Sequence, residues 1–436
     1  MHTRGTNAFP LAPRPSLEQY KKLAKDLLKA ARSGDVAVIR QCAIDWLDRI
    51  EWQPRGDDVG EILNDAKDVG LIGGEPSLAA AQFLLARLHG FESWPRFAKH
   101  IEDRNNASSP VARFETAADA IVNGDLATLR KLLHNHPELA RARSTRDHNA
   151  TLLHYVAANG HEGFRQRTPK NAVEIARLLL DAGAKPDALA NMYFKRCTTM
   201  EMLVSSTHPH DAGVQSALVD LLLDYGADVD GVEHNGSPLM TAFRFHYPKA
   251  AETLAARGAK VDNVISAAAL GRIDLLERFV SDDGTLRPGV PLARVPWPNL
   301  PPDPNVHLGC ALTWAATFGR TEAVKLLLNK GVDARGKDDD ASALHFAAAF
   351  GRMDLVRLLL EHGASLESLN SYGGTVLDGT VWYALNAPTA GVDYTAVVKE
   401  LLALGARTDR YPEMKHYVDL VLAGQRGGGY PEVREL

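Results

Sequence analysis

The chain repeats itself, and this self-similarity restricts its fold more than any other feature of the sequence. The stretch ALTWAATFGRTEAVKLLLNKGVDA at 311–334 matches ALHFAAAFGRMDLVRLLLEHGASL at 343–366, and the closing glycines Gly331 and Gly363 lie 32 positions apart. Each copy has an Ala-rich segment that ends on a glycine, followed by a second segment with apolar residues at helical spacing. Stacked helix pairs of this kind bury a continuous core that no single copy can form.

These copies resemble the ankyrin repeat. The family signature Thr-Pro-Leu-His-x-Ala-Ala-x-x-Gly is retained in part as TLLHYVAANG (151–160), CALTWAATFG (310–319) and SALHFAAAFG (342–351). The resemblance implies an all-α fold, an ankyrin-type solenoid of about eight repeats over residues 112–410. It also implies a function in molecular recognition.

The signature histidine is retained at His154 and His345. The resemblance implies that both are structural and that they form hydrogen bonds between loops. Other copies hold different residues at this position, which leaves their hydrogen bonding between repeats open: Glu201, Met240, Thr313 and Asp378.

The region before the repeats reads as a small helical module. Ser16 and Gln19 form a capping-box pattern at the start of its first helix. The stretch LARLHGFESWPRF (85–97) resembles a helical module found ahead of repeats in bacterial ankyrin proteins, and its aromatic residues are predicted to pack a helix–turn–helix corner. The predicted divisions are a flexible tail at 1–14, the module at 15–104, the repeats at 112–410, and a C-terminal cap and tail at 411–436.

Composition and charge exclude several classes of function. The net charge of −5 gives no basic stripe for nucleic acid and no polybasic run for a membrane surface. No apolar run reaches the roughly 18–20 residues of a membrane span, and the first twenty residues lack the apolar core of a signal peptide. Three widely spaced cysteines do not form a disulfide framework. We therefore expect a cytoplasmic protein, and the Ala-, Arg- and Gly-rich composition suggests a bacterial source.

The repeats are irregular at places that indicate a working face. Extra residues at 161–172, 205–216 and 386–395 all fall between the first and second helices of a copy, and insertions on one face often mark a binding surface. A proline-rich connection at 281–309 is longer than most loops without secondary structure. It is predicted to be an ordered flap, anchored by Trp297, over the concave surface.

Aligning each Ala-rich segment on its glycine predicts which side chains enter the groove. The two residues before the glycine should project into it, and the second is often aromatic. These aromatics are either a binding stripe or a secondary core beneath the flap, and the two interpretations are compatible. Arg244 adds a charge that can pair with a carboxylate or phosphate. The alignment gives these candidates: Asn159, Ser206, Arg244, Phe245, Thr317, Phe318, Phe350, Trp382 and Tyr383.

The stretch SSTHPHDAG (205–213) carries two histidines around a proline. If it is extended, His208 and His210 point the same way, and His246 of the next copy could join them. A zinc site, a polar rim of the groove and a solvated loop all stay open, but no metal is predicted because a single HxH is a weak signal. The acidic run KDDDAS at 337–342 lacks EF-hand spacing and is interpreted as solvated charge.

The sequence contains no GxSxG and no GxxxxGK[ST] motif, so no catalytic residue and no cofactor is predicted. The favoured function is recognition of a protein or peptide through the concave aromatic groove. The alternative is an enzyme or small-molecule site closed by the 281–309 flap and the 205–213 insertion. A scaffold that binds through its loop tips is a third possibility, with Tyr193, Phe194, Lys195 and Arg196 at one tip.

Overall fold

A computed structural model describes residues 8–53, 57–193, 195–234, 236–294, 300–338, 340–410 and 413–425. The chain divides into two compact units, Met1–Glu233 and His234–Leu436. Both are built from α-helices, which confirms the all-α prediction. The boundary predicted near residue 104 lies inside the first unit.

In its described residues, the first unit has α1 (Leu17–Arg32), α2 (Val36–Arg49), α3 (Asp58–Asp68), α4 (Leu78–Leu88), α5 (Trp94–Asn105), α6 (Pro110–Asn123), α7 (Leu126–Asn135), α8 (Ala172–Asp181), α9 (Thr199–Leu203), α10 (Thr207–Asp211) and α11 (Gln215–Asp224). It also has short 3₁₀ helices at Pro137–Arg141, Leu152–Ala157 and Gly163–Arg165. A hairpin that the sequence did not predict pairs β1 (Ala190–Met192) with β2 (Lys195–Cys197) in antiparallel register.

The second unit, over its described residues, has α12 (Ser237–Arg244), α13 (Pro248–Ala256), α14 (Val264–Leu270), α15 (Ile273–Phe279), α16 (Pro304–Thr317), α17 (Thr321–Asn329), α18 (Ala343–Ala349), α19 (Met353–Glu361), α20 (Val376–Asn386), α21 (Tyr394–Ala403) and α22 (Met414–Leu422). The first helices of successive repeats pack side by side, α14 on α16, α16 on α18 and α18 on α20. Equivalent positions of neighbouring repeats therefore lie close together.

The Gly-Arg pair that follows the Ala-rich helices links one repeat to the next. Gly319 has a φ of 66°, and a Cβ there would lie 2.3 Å from Arg352 Nη1. Arg352 Nη2 donates to the Thr317 carbonyl at 3.0 Å, and Arg320 Nε donates to the Ala269 carbonyl at 2.9 Å. Glycine is favoured here by its left-handed backbone conformation, and its missing side chain leaves room for the Arg352 guanidinium.

Both signature histidines form hydrogen bonds between loops, as predicted. His345 Nδ1 lies 2.8 Å from Ser342 Oγ, and its Nε2 lies 3.3 Å from the Gly374 carbonyl. His154 makes the equivalent bond to the Cys197 carbonyl at 3.4 Å. Burial lowers the pKa of His345 and of His154 to about 4.

In two copies without the histidine, a carboxylate makes the hydrogen bond at the start of the helix that the histidine makes in the other copies. Glu201 Oε2 accepts from the Thr198 amide at 2.9 Å, and Asp378 Oδ2 accepts from the Thr375 amide at 2.7 Å. Each pair is a reciprocal capping box at the start of its helix. The substitutions in the signature therefore preserve the hydrogen bonds that cap the start of the helix.

The N-terminal helices differ from the prediction in two respects. Ser16 is the N-cap of α1, but its side chain makes no capping hydrogen bond, so the expected box with Gln19 is not formed. Helix α3 was not predicted at all. It begins at Asp57, whose side chain accepts from the Gly60 amide at 2.9 Å.

The aromatic corner between α4 and α5 packs as predicted. The Phe97 ring centroid lies 5.1 Å from His89, 5.5 Å from Phe91 and 5.6 Å from Trp94. Phe91 and Phe97 are fully buried. His89, Phe91 and Phe97 therefore serve the core of the module, and the partly buried Trp94 packs against them.

A buried charge network, Glu115, Arg146, Glu162 and Arg165, packs the first repeats together. Glu115 lies 2.7 Å from Arg146 and 2.9 Å from Arg165, and Glu162 lies 3.0 Å from Arg146. Arg104 of α5 reaches Glu115 at 3.2 Å and ties the N-terminal helices to this network. Burial raises the pKa of Glu115, but the arginines outweigh it and hold that pKa below its usual range.

This network gives the 161–172 insertion a structural role. Glu162 and Arg165 lie in that insertion and are at most 2% exposed. Nothing in the sequence marked them as partners of Glu115. The extra residues of the 161–172 insertion are therefore explained by the buried network, without a role in a binding face.

The proline-rich connection is shorter than predicted because α16 begins at Pro304. His307 holds the connection in place, since its Nδ1 accepts from the Ala293 amide at 3.2 Å and its Nε2 lies 3.2 Å from the Pro301 carbonyl. Trp297, the predicted anchor, lies outside the described residues. Across the part of the chain that the structure describes, no helix has the length and apolar character to cross a membrane.

Candidate functional site

The aromatic side chains predicted from the glycine alignment form a row in the second unit. Phe318 and Phe350 are the C-cap residues of α16 and α18, and Tyr383 lies in α20. Ring centroids are 5.7 Å apart for Phe350 and Tyr383, and 5.3 Å apart for Trp382 and Tyr383. The side-by-side packing of these helices brings equivalent positions together.

His246 joins this row from the repeat that contains α12. Its ring centroid lies 6.2 Å from Phe318, 5.7 Å from Phe350 and 5.5 Å from Phe346. Burial lowers the pKa of His246 to about 4, and Arg244 adds to that effect. At neutral pH the imidazole is therefore uncharged among the rings.

The backbone of His246 is unusual. It follows the C-cap of α12, as Gly319 and Gly351 follow the C-caps of α16 and α18. All three have left-handed backbone, with φ of 59° for His246, 66° for Gly319 and 68° for Gly351. A side chain at this position costs free energy that glycine avoids, and such strain is often found at functional sites.

A cavity of about 260 Å³ opens beside these rings. Its ring-bearing lining residues are His246, His345, Phe346, Tyr372, Trp382 and Tyr383, and its other polar lining residues are Asp340, Asn370 and Asp378. Burial raises the pKa of Tyr383 to about 12, so its hydroxyl stays protonated. None of the described residues of the 281–309 connection lines this cavity.

Sequence reasoning missed part of this lining. Phe346 lies one helical turn before Phe350, so the spacing in HFAAAF could have placed both rings on one face. Asp340 was interpreted as solvated charge, but its Oδ2 lies 3.1 Å from Arg244 Nη1. Arg244, predicted to pair with a ligand's carboxylate or phosphate, thus has a carboxylate of the protein as a partner.

Five described candidates of the second unit are not among the cavity lining residues: Arg244, Phe245, Thr317, Phe318 and Phe350. Phe318 and Phe350 contact the lining residue His246 through their rings. Phe245 is 41% exposed, and Thr317 is buried with its hydroxyl donated to the Thr313 carbonyl at 2.8 Å. Since Thr317 also accepts from Arg352 through its carbonyl, its contacts are those of a structural residue.

Two further candidates belong to the first unit. Asn159 Nδ2 donates to Ser205 Oγ at 2.9 Å, and Tyr193 donates to Asn159 Oδ1. Ser206 is buried, and its hydroxyl donates to the Ala158 carbonyl at 3.3 Å. These polar contacts join the second and third repeats.

The histidine-containing insertion is helical. Residues Thr207–Asp211 form α10, with Pro209 buried and His210 exposed. Residues two apart on a helix point to different sides, so the extended geometry that would align His208 with His210 is absent. Over the described residues, no group of three or more His, Cys, Asp or Glu side chains could hold a metal ion.

The stacked helix pairs and their glycine-terminated helices define a helical repeat protein. A family model for a single ankyrin repeat matches residues 148–191, and a model for three ankyrin repeat copies matches residues 264–370. The chain therefore contains ankyrin repeats in these two regions. Ankyrin repeats generally serve as scaffolds for interaction between proteins.

A comparison with solved structures finds the crystal structure of the human ASB11 ankyrin repeat domain. The two chains are 21% identical, the TM-score is 0.35, and the match covers 66% of this chain and 96% of that one. A comparison with curated proteins finds no match.

Proposed function

We propose that the second unit binds a segment of a partner protein at the aromatic cavity. The observation that carries this proposal is a set of rings from separate repeats: His246, Trp382 and Tyr383 line the cavity, and Phe350 contacts His246 and Tyr383 from behind the lining. Aromatic residues supply much of the binding energy at protein interfaces, where they fill or line pockets. The residues assigned to the contact are His246, Phe318, Phe350, Trp382 and Tyr383.

The size of the cavity favours a protein segment over a whole small molecule. Pockets for drug-sized ligands measure about 300–1,000 Å³, and this cavity measures about 260 Å³. It suits one side chain, with the rest of the segment on the neighbouring surface. The enzyme alternative, a pocket closed by the 281–309 flap, has no supporting observation.

The cysteines support a proposal for the compartment in which the protein is found. Cys42, Cys197 and Cys310 are not joined to one another by disulfide bonds, which suits a reducing compartment. We therefore keep the cytoplasm as the proposed location.

The test is a selection of random displayed peptides on the full chain. Selected peptides are then titrated against the unchanged protein, Phe350→Ala and Tyr383→Ala. We expect each substitution to weaken binding about 30-fold, since interface hot spots contribute about 2 kcal/mol or more. Isothermal titration calorimetry measures the affinities, and circular dichroism checks that each variant is folded.

Tyr193→Ala is the matched control. Tyr193 is 51% exposed at the hairpin of the first unit, where the loop-tip scaffold hypothesis places binding. Unchanged affinity in this variant is expected. If Tyr193→Ala weakens binding and the two groove variants do not, the loop tips are the binding surface and the cavity proposal is wrong.

A further inference from the structure

The charged groups around the cavity are unevenly signed. Two carboxylates, Asp340 and Asp378, are among its lining residues, and none of its described lining residues is a lysine or arginine. The two lining histidines, His246 and His345, have pKa values lowered to about 4 by burial. At neutral pH, the charged groups among the described lining residues are therefore carboxylates, and the net charge of the lining is negative.

The groups just outside the lining do not reverse this sign. Arg244 pairs with Asp340, and Lys337 Nζ donates to the Leu369 carbonyl at 2.6 Å on the exposed surface. Asp338 adds a third carboxylate, which accepts from Trp314 Nε1 at 3.3 Å. Of the described charged residues named here, three are carboxylates and two are cations.

Tyr383 responds to this negative field. Burial is the main cause of its raised pKa, and Asp340 and Asp338 both add to the shift. A field that disfavours a phenolate favours a cation at the same place.

The aromatic lining suits a cation as well. Cations are attracted to the faces of Trp, Tyr and Phe within about 6 Å of the ring centroid. The cavity is lined by Phe346, Tyr372, Trp382 and Tyr383. Rings together with carboxylates recognise an ammonium or guanidinium group better than they recognise a neutral or acidic one.

We infer that the cavity takes a positively charged side chain, a lysine or an arginine, from the bound protein segment. The inference rests on the proposed function for the source of the cation, which is the bound protein segment. The preference for a positive charge is argued from the lining of the cavity. One such side chain is also what a cavity of about 260 Å³ suits.

The first arm of the test needs no variant. Choline and its uncharged isostere 3,3-dimethyl-1-butanol are titrated into the full chain, and tryptophan fluorescence is followed. We expect choline to bind at least about 10-fold more tightly, and to bind more weakly as salt is added. Equal affinity for the two probes would falsify the inference.

Two substitutions locate the probe. Trp382→Leu removes a ring from the lining, and Asp340→Asn removes a charge; each is expected to weaken choline binding about 5-fold or more. Asp333→Asn is the matched control, because Asp333 is exposed and pairs with Arg335. Choline binding that is unaffected by both lining variants contradicts the inference.

The second arm uses the peptides selected above. Each lysine is replaced by norleucine and each arginine by citrulline, which removes charge and keeps length. We expect at least one replacement to weaken binding about 10-fold. If peptides bind through the cavity but every replacement is tolerated, the inference of a positively charged side chain is wrong. The proposed function is not contradicted by that result. Preferential choline binding without any selected peptide overturns the protein partner and supports the cation.

Discussion

The two units bury polar groups in opposite ways. In the first, Glu115, Arg146, Glu162 and Arg165 are each at most 3% exposed and lie within 3.4 Å of an opposite charge. In the second, the uncharged ring of His246 lies among aromatic rings beside an open cavity. The two glutamates and two arginines of the network balance in formal charge, whereas an incompletely filled apolar site has contacts still to make.

The comparison shows why burial alone does not identify a binding site. Moving four charges out of water costs several kcal/mol per ion, and the attraction between paired opposite charges offsets this cost. We propose that the network fixes how α5 and α6 meet, through Arg104 and Glu115. Its strongly shifted pKa values then reflect structure, although such shifts also occur at active sites.

The largest expected effect comes from breaking the network. Glu162→Gln removes one of its two fully buried carboxylates, so that Arg146 keeps Glu115 and Arg165 keeps Glu115 and the more exposed Asp119. We expect a loss of about 3–5 kcal/mol in the free energy of unfolding, since an uncompensated buried charge remains. Urea denaturation followed by circular dichroism measures it.

Glu92→Gln is the control for that substitution. Glu92 and Arg96 form an exposed pair at 2.6 Å, and exposed pairs contribute about 0–1 kcal/mol. Similar losses in both variants would show that the buried network is no more important than a surface pair.

The next effect is a dependence of stability on pH. The folded pKa of His345 is about 4, below its ordinary value of 6.5. Between these values the unfolded chain binds a proton and the folded protein does not. Stability therefore falls as pH drops from about 6.5 to 4, by on the order of 3 kcal/mol for this histidine.

His345→Gln isolates this contribution. Glutamine can keep the capping box, as Glu201 and Asp378 do at the matching positions, but it does not titrate. We expect a shallower fall in the urea midpoint between pH 7 and pH 4.5 than in the unchanged protein. His362→Gln, at an exposed position, should leave the slope as it was; an unchanged slope in His345→Gln contradicts the prediction.

The smallest effect sharpens the view of the aromatic cavity. His246→Gly and His246→Ala both remove the imidazole, but only alanine keeps a Cβ on left-handed backbone. We expect the glycine variant to be more stable than the alanine variant by about 1 kcal/mol. Thermal and urea denaturation compare the two. Equal stability would mean that the backbone relaxes and that histidine is not held there at a cost.

The repeat architecture could be predicted because its signal is periodic. Each copy carries the same apolar spacing and the same terminal glycines, so errors in one copy are corrected by the others. The same alignment placed Phe318, Phe350 and Tyr383 at equivalent positions. The contact between Phe350 and Tyr383 follows directly from the stacking of α18 and α20.

The rest could not be predicted because it depends on distant pairs of residues. Glu115, Arg146 and Glu162 come from separate parts of the sequence, and isolated charges are usually on the surface. Asp340 was assigned to the surface for the same reason, yet it pairs with Arg244. His246 was examined as a metal ligand, and nothing local indicated that it takes the place of a glycine.

His307 has a consequence for how the connection before α16 responds to acid. Its ring contacts both the Ala293 amide and the Pro301 carbonyl, so one side chain of α16 holds the connection at two points. Burial lowers the pKa of His307. A proton on Nδ1 removes the acceptor for the Ala293 amide, so acid releases one of these two points and leaves the other in place.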